Sequence, residues 1–349
     1  MTAFSRRSFL KTSLIGGVAA TLIKPFDTLA SFGRQEQFPA RVALTTGTSR
    51  ADMAFLALKP FSRQISEAIG DRRVVLKPNN VSTEKQLSAT HVDTLEGVLE
   101  FLKSIGKTEN VIIAESAGFN PTTDGFSNFG YYSLTSRYHV KLVDLDQEPF
   151  DILHVFSEKD FRPHPVRMSR VLLDPDTYVV SVARMKTHDR VVATLSLKNI
   201  VFGAPIKDKG FSYSASRKPG AVNDKPIAHG NGIRAINYNL FALSQQLHPH
   251  LSVIDGFEGL EGNGPVAGTP VDHKVCVTST DWLAADRVAV ELMGIDFAKI
   301  GYLNYCANAG RGVADLNKIE IIGEPIINHK KSYKLSDNIN DQIVWMNPL

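Results

Sequence analysis

Short unbroken apolar runs alternate with segments whose apolar positions recur at helical spacing. Arg41-Val42-Ala43-Leu44-Thr45, Arg73-Val74-Val75-Leu76, Val111-Ile112-Ile113-Ala114 and Val140-Lys141-Leu142-Val143 read as strands. Met53 to Ile69 reads as one helix closed by Gly70. The clearest helix places Val92, Leu95, Val98, Leu99, Leu102 and Ile105 on one face, with Thr90 as its cap, Asp93 three residues on, and Gly106 at its end. Continuous apolar strands separated by helices predict a mixed, mostly parallel α/β sheet with helices on both faces.

The middle of the chain changes character. Ile152 to Phe156 and Val166 to Val171 read as an antiparallel hairpin. The strand Tyr178 to Ala183 ends at Arg184-Met185-Lys186-Thr187-His188, and Thr194 to Val201 is apolar around Lys198-Asn199. Residues 204–230, rich in Lys, Ser, Gly and Pro, read as a lid-like insertion. Asn231 is placed to cap a helix with Ile233, Ile236, Leu240, Leu243 and Leu247 inward. The strand Leu251 to Asp255 leads to a loop from Gly256 to Gly268, then a strand around Val275 and a helix from Asp281 to Met293.

The first thirty residues stand apart. Ser5-Arg6-Arg7-Ser8-Phe9-Leu10-Lys11 resembles the twin-arginine export signal, and the apolar stretch Thr12 to Ile23 is too short for the roughly 20 residues that span a bilayer. Thr28-Leu29-Ala30 offers small residues for cleavage before Ser31. The expectation is a signal peptide over 1–30, recognised by the twin-arginine export machinery, and a single exported, periplasmic domain over 31–349 without a stable membrane anchor.

Charge sharpens that division. The net charge of +3 is carried by Arg6, Arg7, Lys11 and Lys24 against Asp27, leaving 35 basic and 35 acidic residues in the remainder. A neutral body argues against nucleic acid as a partner. Two cysteines, Cys276 and Cys306, cannot build an iron–sulfur cluster and leave their own pairing open.

In open parallel sheets ligands bind beyond the carboxyl ends of the strands. Polar groups gather there: Lys77 and Asn79, then Ser116, then Lys186 and His188, then Asp255, Glu261 and Asn263. Lys198 and Asn199 join them from an apolar segment in which a lone ammonium is costly. Lys77, Asn79, Ser116, Lys186, Lys198, Asn199 and Asn263 are the candidate ligand-binding residues, and His188 with Glu261 the candidate acid/base pair. A divalent metal, as a possible cofactor, would find its donors in His188, Asp255 and Glu261.

Leu76-Lys77-Pro78-Asn79, Thr90-His91, Met185-Lys186-Thr187-His188, Leu197-Lys198-Asn199, Glu261-Gly262-Asn263-Gly264-Pro265 and Glu291-Leu292-Met293-Gly294-Ile295-Asp296 together resemble the domain-of-unknown-function family 362 (DUF362), in order from about residue 72 to 323. Many members of that family add a ferredoxin-like cysteine segment, which this chain lacks. The resemblance implies the α/β fold and the strand-end site more than a reaction. The residues point to an exported enzyme acting on a small anionic substrate. The alternative is a non-catalytic binding protein for an anionic ligand or a metal or organic cofactor.

Overall fold

The computed structural model describes residues 39–213 and 220–347; the segment read as an export signal lies outside the described residues. The first part of the chain runs β1 (Ala40–Thr46), α1 (Arg50–Leu58), α2 (Ser62–Ile69), β2 (Arg73–Lys77), α3 (Val92–Ser104), β3 (Val111–Glu115), α4 (Thr122–Asn128), α5 (Tyr132–Tyr138) and β4 (Lys141–Asp144). The hairpin β5 (Phe150–Ser157) and β6 (Arg162–Ser169) precedes α6 (Arg170–Leu173), β7 (Thr177–His188), β8 (Val192–Thr194), α7 (Ser196–Val201), α8 (Lys225–Ala228) and α9 (Ile233–Ser244). The chain ends with β9 (Leu251–Asn263), β10 (Ala267–Ser279), α10 (Trp282–Leu292), α11 (Gly301–Asn308), β11 (Ile319–Gly323) and α12 (Ile339–Gln342).

The sheet order is β11-β1-β10-β9-β7-β2-β3-β4, with β8 folded back on β7 and β5–β6 a separate ribbon. Pairings β11–β1, β9–β7, β7–β2, β2–β3 and β3–β4 are parallel; β1–β10, β10–β9 and β7–β8 are antiparallel. The mixed, mostly parallel α/β architecture is therefore present.

Alternation along each strand divides the apolar residues between two cores. Val74, Leu76, Tyr178, Val180, Val182 and Val253 join one core with α1, α2, α3 and α5. Val75, Val179, Ala183, Ile254, Val275 and Val277 join another with α7, α9, α10 and α11. Both faces are covered, which is why the central strands read as continuous apolar runs.

Four local expectations change. The helix expected from Met53 to Ile69 is broken by a 3₁₀ turn at Lys59–Phe61, where Pro60 withholds an amide hydrogen. The α3 cap is His91, whose Nδ1 accepts from Asp93 N; Thr90 Oγ1 instead accepts from Asn79 N and donates to Val182 O at 2.6 Å. Asn231 caps nothing: the first amides of α9, Arg234 N and Ala235 N, donate to the Glu158 carboxylate. The loop expected over 256–268 is mostly a hairpin, with β9 and β10 paired in register from Glu258↔Asp272 to Asn263↔Ala267.

Candidate functional site

Where β2 and β7 lie side by side, β2 stops at Lys77 and β7 runs on to His188. Beyond that edge is a cavity of about 430 Å³. Its walls come from the β2 and β3 exits, the β7–β8 turn, α7 and the described parts of the 204–230 insertion. Lys77, Lys198, Lys225 and Arg190 face Glu115 and Asp189 across it, four cations against two carboxylates.

Each cation is held differently. Lys77 Nζ donates to Glu115 Oε1 at 2.6 Å, Pro78 O at 2.8 Å and Asn199 Oδ1 at 3.3 Å. Burial outweighs Glu115 and keeps the Lys77 pKa below its usual value. Lys225 Nζ donates to the carbonyls of Pro205 at 2.6 Å and Gly203 at 3.2 Å; burial brings its pKa down to about 7. Lys198, 6% exposed, has no hydrogen bond or ion pair among the described residues. Its ammonium lies 5.5 Å from the centre of the Phe202 ring, and burial brings its pKa to about 8.

Two imidazoles complete the polar wall. Arg190 N donates to His188 Nδ1 at 3.0 Å, which puts the proton of the neutral ring on Nε2. Asp189 Oδ1 lies 3.2 Å from the same Nδ1. His229 Nδ1 lies 2.6 Å from Lys225 O, so it donates there and leaves its Nε2 as an acceptor. Burial, then the Lys198 charge, holds the His188 pKa well below normal and that of His229 at about 3. Both rings are neutral at physiological pH, one offering a donor and the other a lone pair.

Asn199 fixes the floor. Its Nδ2 donates to Lys77 O and Ser181 Oγ, so its Oδ1 accepts from Asn79 Nδ2 at 3.1 Å. That orientation leaves Asn79 Oδ1 buried without a partner, as is Thr194 Oγ1, and both residues line the cavity. Ser116 Oγ, also on the wall, donates to Asp146 Oδ1 at 2.6 Å.

The sequence candidates thus separate. Lys77, Asn79, Ser116, Lys198 and His188 meet at the cavity, with Asn199 directly beneath Lys77 and Asn79. Lys186 is fully buried but off the cavity surface, donating to Ser88 O at 2.6 Å. Glu261 Oε2 accepts from Lys334 N, and Asn263 bonds Ser336 and Asp337, so neither reaches the cavity. Asp255 sits on the opposite side of the sheet with Thr94 of α3, Arg50 and Arg184. Among the described residues no cluster of His, Cys, Asp and Glu could hold a metal ion, so His188, Asp255 and Glu261 do not form the donor set expected of them. Cys276 and Cys306 are both buried and free.

Sequence reasoning missed Lys225. Its signal was an ordinary one: a polar insertion without periodicity; His229 of the same insertion is, with His91 and His188, a histidine that the sequence offers for acid/base work. The described parts of that insertion are firmly seated, with bridges Met168↔Pro205 and Lys207↔Asn223, and with Asp224 accepting from Arg167.

A thylakoid-associated protein of Synechocystis is 24% identical over 233 residues, covering 66% of this chain and 65% of the relative, so the chain spans just under two thirds of that protein's length. A crystal structure of a Thermotoga maritima protein aligns over 70% of this chain and 60% of that one, with TM-score 0.40 and 12% identity. The sequence profile of the domain of unknown function DUF362 matches residues 74–291, well over half of the chain. The protein belongs to the DUF362 family.

Proposed function

We propose that the protein binds a small organic anion, bearing a carboxylate or a phosphate, in the cavity beyond β2 and β7, and acts on it with His188 as the proton-transferring group. The observation that carries this reading is Lys198, a buried ammonium with no acceptor among the described residues. An uncompensated buried charge is costly, and several cations sharing one low-dielectric space repel each other. An entering anion relieves both costs and gains charge-assisted hydrogen bonds. The unpartnered Thr194 hydroxyl adds a further polar contact. A second reading, an anion-binding protein without chemistry, draws support from Glu261, whose carboxylate is engaged with Lys334 and leaves His188 without its expected partner.

The test is thermal denaturation of the signal-free protein titrated with phosphate, malonate and succinate, beside Lys198→Met. Losing one hydrogen bond to a charged group costs about 1.5–3 kcal/mol, so half-saturation shifts about ten- to a hundredfold in the variant. Equal stabilisation of both proteins by every anion removes the reading. Retained binding with a pH-independent occupancy and no turnover of any anion favours the non-catalytic version.

We also propose export by the twin-arginine route, motivated by Arg6-Arg7 and the short apolar run behind them. The relative described as thylakoid-associated fits a family that works at a membrane system. Among the described residues no helix is long and apolar enough to cross a membrane. Replacing Arg6 and Arg7 by lysine should leave precursor in the cytoplasm; undiminished export of that variant ends the proposal.

A further inference from the structure

Five lysines are buried among the described residues: Lys77, Lys186, Lys198, Lys207 and Lys225. Four of them have acceptors for their protons. Lys77 has Glu115, Lys186 has Ser88 O, Lys207 has Asp146, and Lys225 has the carbonyls of Pro205 and Gly203. Those nitrogens are fixed in position by their acceptors. Lys198 alone meets a ring face and open cavity. An amine that donates no hydrogen bond is free to turn its lone pair towards a bound molecule, and desolvation makes such an amine a nucleophile.

We propose that Lys198 is a nucleophilic amine that forms a reversible imine with the carbonyl carbon of a small keto acid bound in the cavity. The proposal rests on the anion reading, since the carboxylate of the keto acid is what the site first holds. Arg190, also on the cavity wall, is the cation left to hold that carboxylate while Lys198 reacts. Burial brings the Lys198 pKa to about 8, so a substantial fraction of the amine is unprotonated in mildly alkaline solution.

The two imidazoles supply the proton traffic the step requires. The Lys198 nitrogen attacks the carbonyl carbon, the C–N bond forms, and the carbonyl π pair moves to oxygen. His188 Nε2–H hydrogen-bonds the developing oxyanion, and the lone pair of His229 Nε2 accepts a proton from nitrogen and passes it to oxygen. The second amine proton follows the same way, and the C–O bond breaks as the C=N bond forms. The oxygen leaves as water with both protons. No oxidant or reductant is consumed. All three groups line the one cavity, where the Lys198 charge weighs on both rings.

The experiment is reductive trapping. Signal-free protein is incubated with pyruvate and sodium cyanoborohydride at pH 8, then read by intact mass and peptide mapping. The expected result is one adduct per chain, a net gain of pyruvic acid less one oxygen atom (water lost on imine formation, two hydrogens gained on reduction), mapped to Lys198 and suppressed by excess malonate. Lys198→Arg keeps the charge but not the nucleophile. It should lose the adduct, and a cooperative thermal transition of the unliganded variant shows that it folds. Adduct spread over surface lysines, adduct of equal yield in Lys198→Arg, or no adduct in wild type overturns the imine. If malonate still stabilises wild type in that last case, the anion reading survives alone. If malonate stabilises neither protein, the anion reading falls, and the imine, which rests on it, falls with it.

Discussion

Replacing Glu115 by glutamine tests the electrostatics of the cavity floor directly. Glu115 Oε1 accepts from Lys77 Nζ at 2.6 Å and Ser116 N at 2.8 Å, and Oε2 accepts from Asn80 N at 2.9 Å. Both side chains of the pair are 1% exposed. Glutamine keeps the shape, yet one of its two ends becomes an NH2 group aimed at an N–H donor in either orientation. The Lys77 ammonium then remains buried without a carboxylate, among neutral acceptors alone. Removing one partner of a buried pair costs about 3–5 kcal/mol. In a body larger than 250 residues, each kcal/mol lowers Tm by about 2 °C, so a drop of roughly 6–10 °C is expected. Adding Lys77→Met removes the stranded charge and should recover part of that loss, because a buried pair is worth less than its breakage suggests. Urea unfolding and differential scanning calorimetry of the two variants measure this. A loss below about 1 kcal/mol for Glu115→Gln would show that water or a rearranged acceptor satisfies Lys77, and the desolvated floor would have to be abandoned.

The remaining expectations concern pH and packing. The His229 pKa falls from 6.5 to about 3 on folding, so its contribution is full above 6.5 and is lost as pH falls towards 3. His229→Gln should flatten that acid limb in urea unfolding measured from pH 7 to 4. Asp286 runs the other way: its carboxyl, accepting from Ser196 N and Leu197 N, is pushed by burial up to about 7, so its contribution is full below 3.8 and is lost as pH rises through 7. Asp286→Asn should therefore steepen the rise of stability between pH 4 and 7, and an unchanged slope would refute the assignment. At Gly203 an added methyl would fall on the Lys77 side chain and the Asn199 carbonyl, so Gly203→Ala should cost about 1–3 kcal/mol of overpacking and weaken malonate binding together. A stable variant with unchanged binding would disprove that contact.

The alternation of apolar runs disclosed the sheet because buried parallel strands have no polar face to confuse the pattern. The same logic misled at Gly256 to Gly268, where glycine density suggests a turn. Those glycines serve close approach instead: a side chain on Gly259 would strike the Tyr333 hydroxyl, and one on Gly268 would strike Glu261 O and Leu260. Lys77 and Lys198 were legible because an ammonium next to an apolar run demands an explanation. Lys225 was not, because what recruits it are the carbonyls of Pro205 and Gly203, some twenty positions earlier, inside a segment of loop-like composition. Glu261 and Asn263 stood at a strand end as expected, but residues some seventy positions later had already claimed them.

That late stretch of chain behaves as a clasp. Lys334 binds Glu261 through its N–H and Gly262 through its carbonyl, while Ser336 and Asp337 grip Asn263. Asn338 donates to Asp189 O, and Gln342 Oε1 accepts from Val192 N at 2.7 Å. Val192 is held at φ 68, a left-handed conformation that costs a β-branched residue about 1–3 kcal/mol and survives only where neighbours over-determine it. His188 sits across the turn from that strained residue. The matched domain, 74–291, contains every residue that lines the cavity, and none of the fasteners. The aim of the imidazole is thus borrowed from the tail: a chain cut at the domain's edge would own the whole site and lack the hand that steadies it.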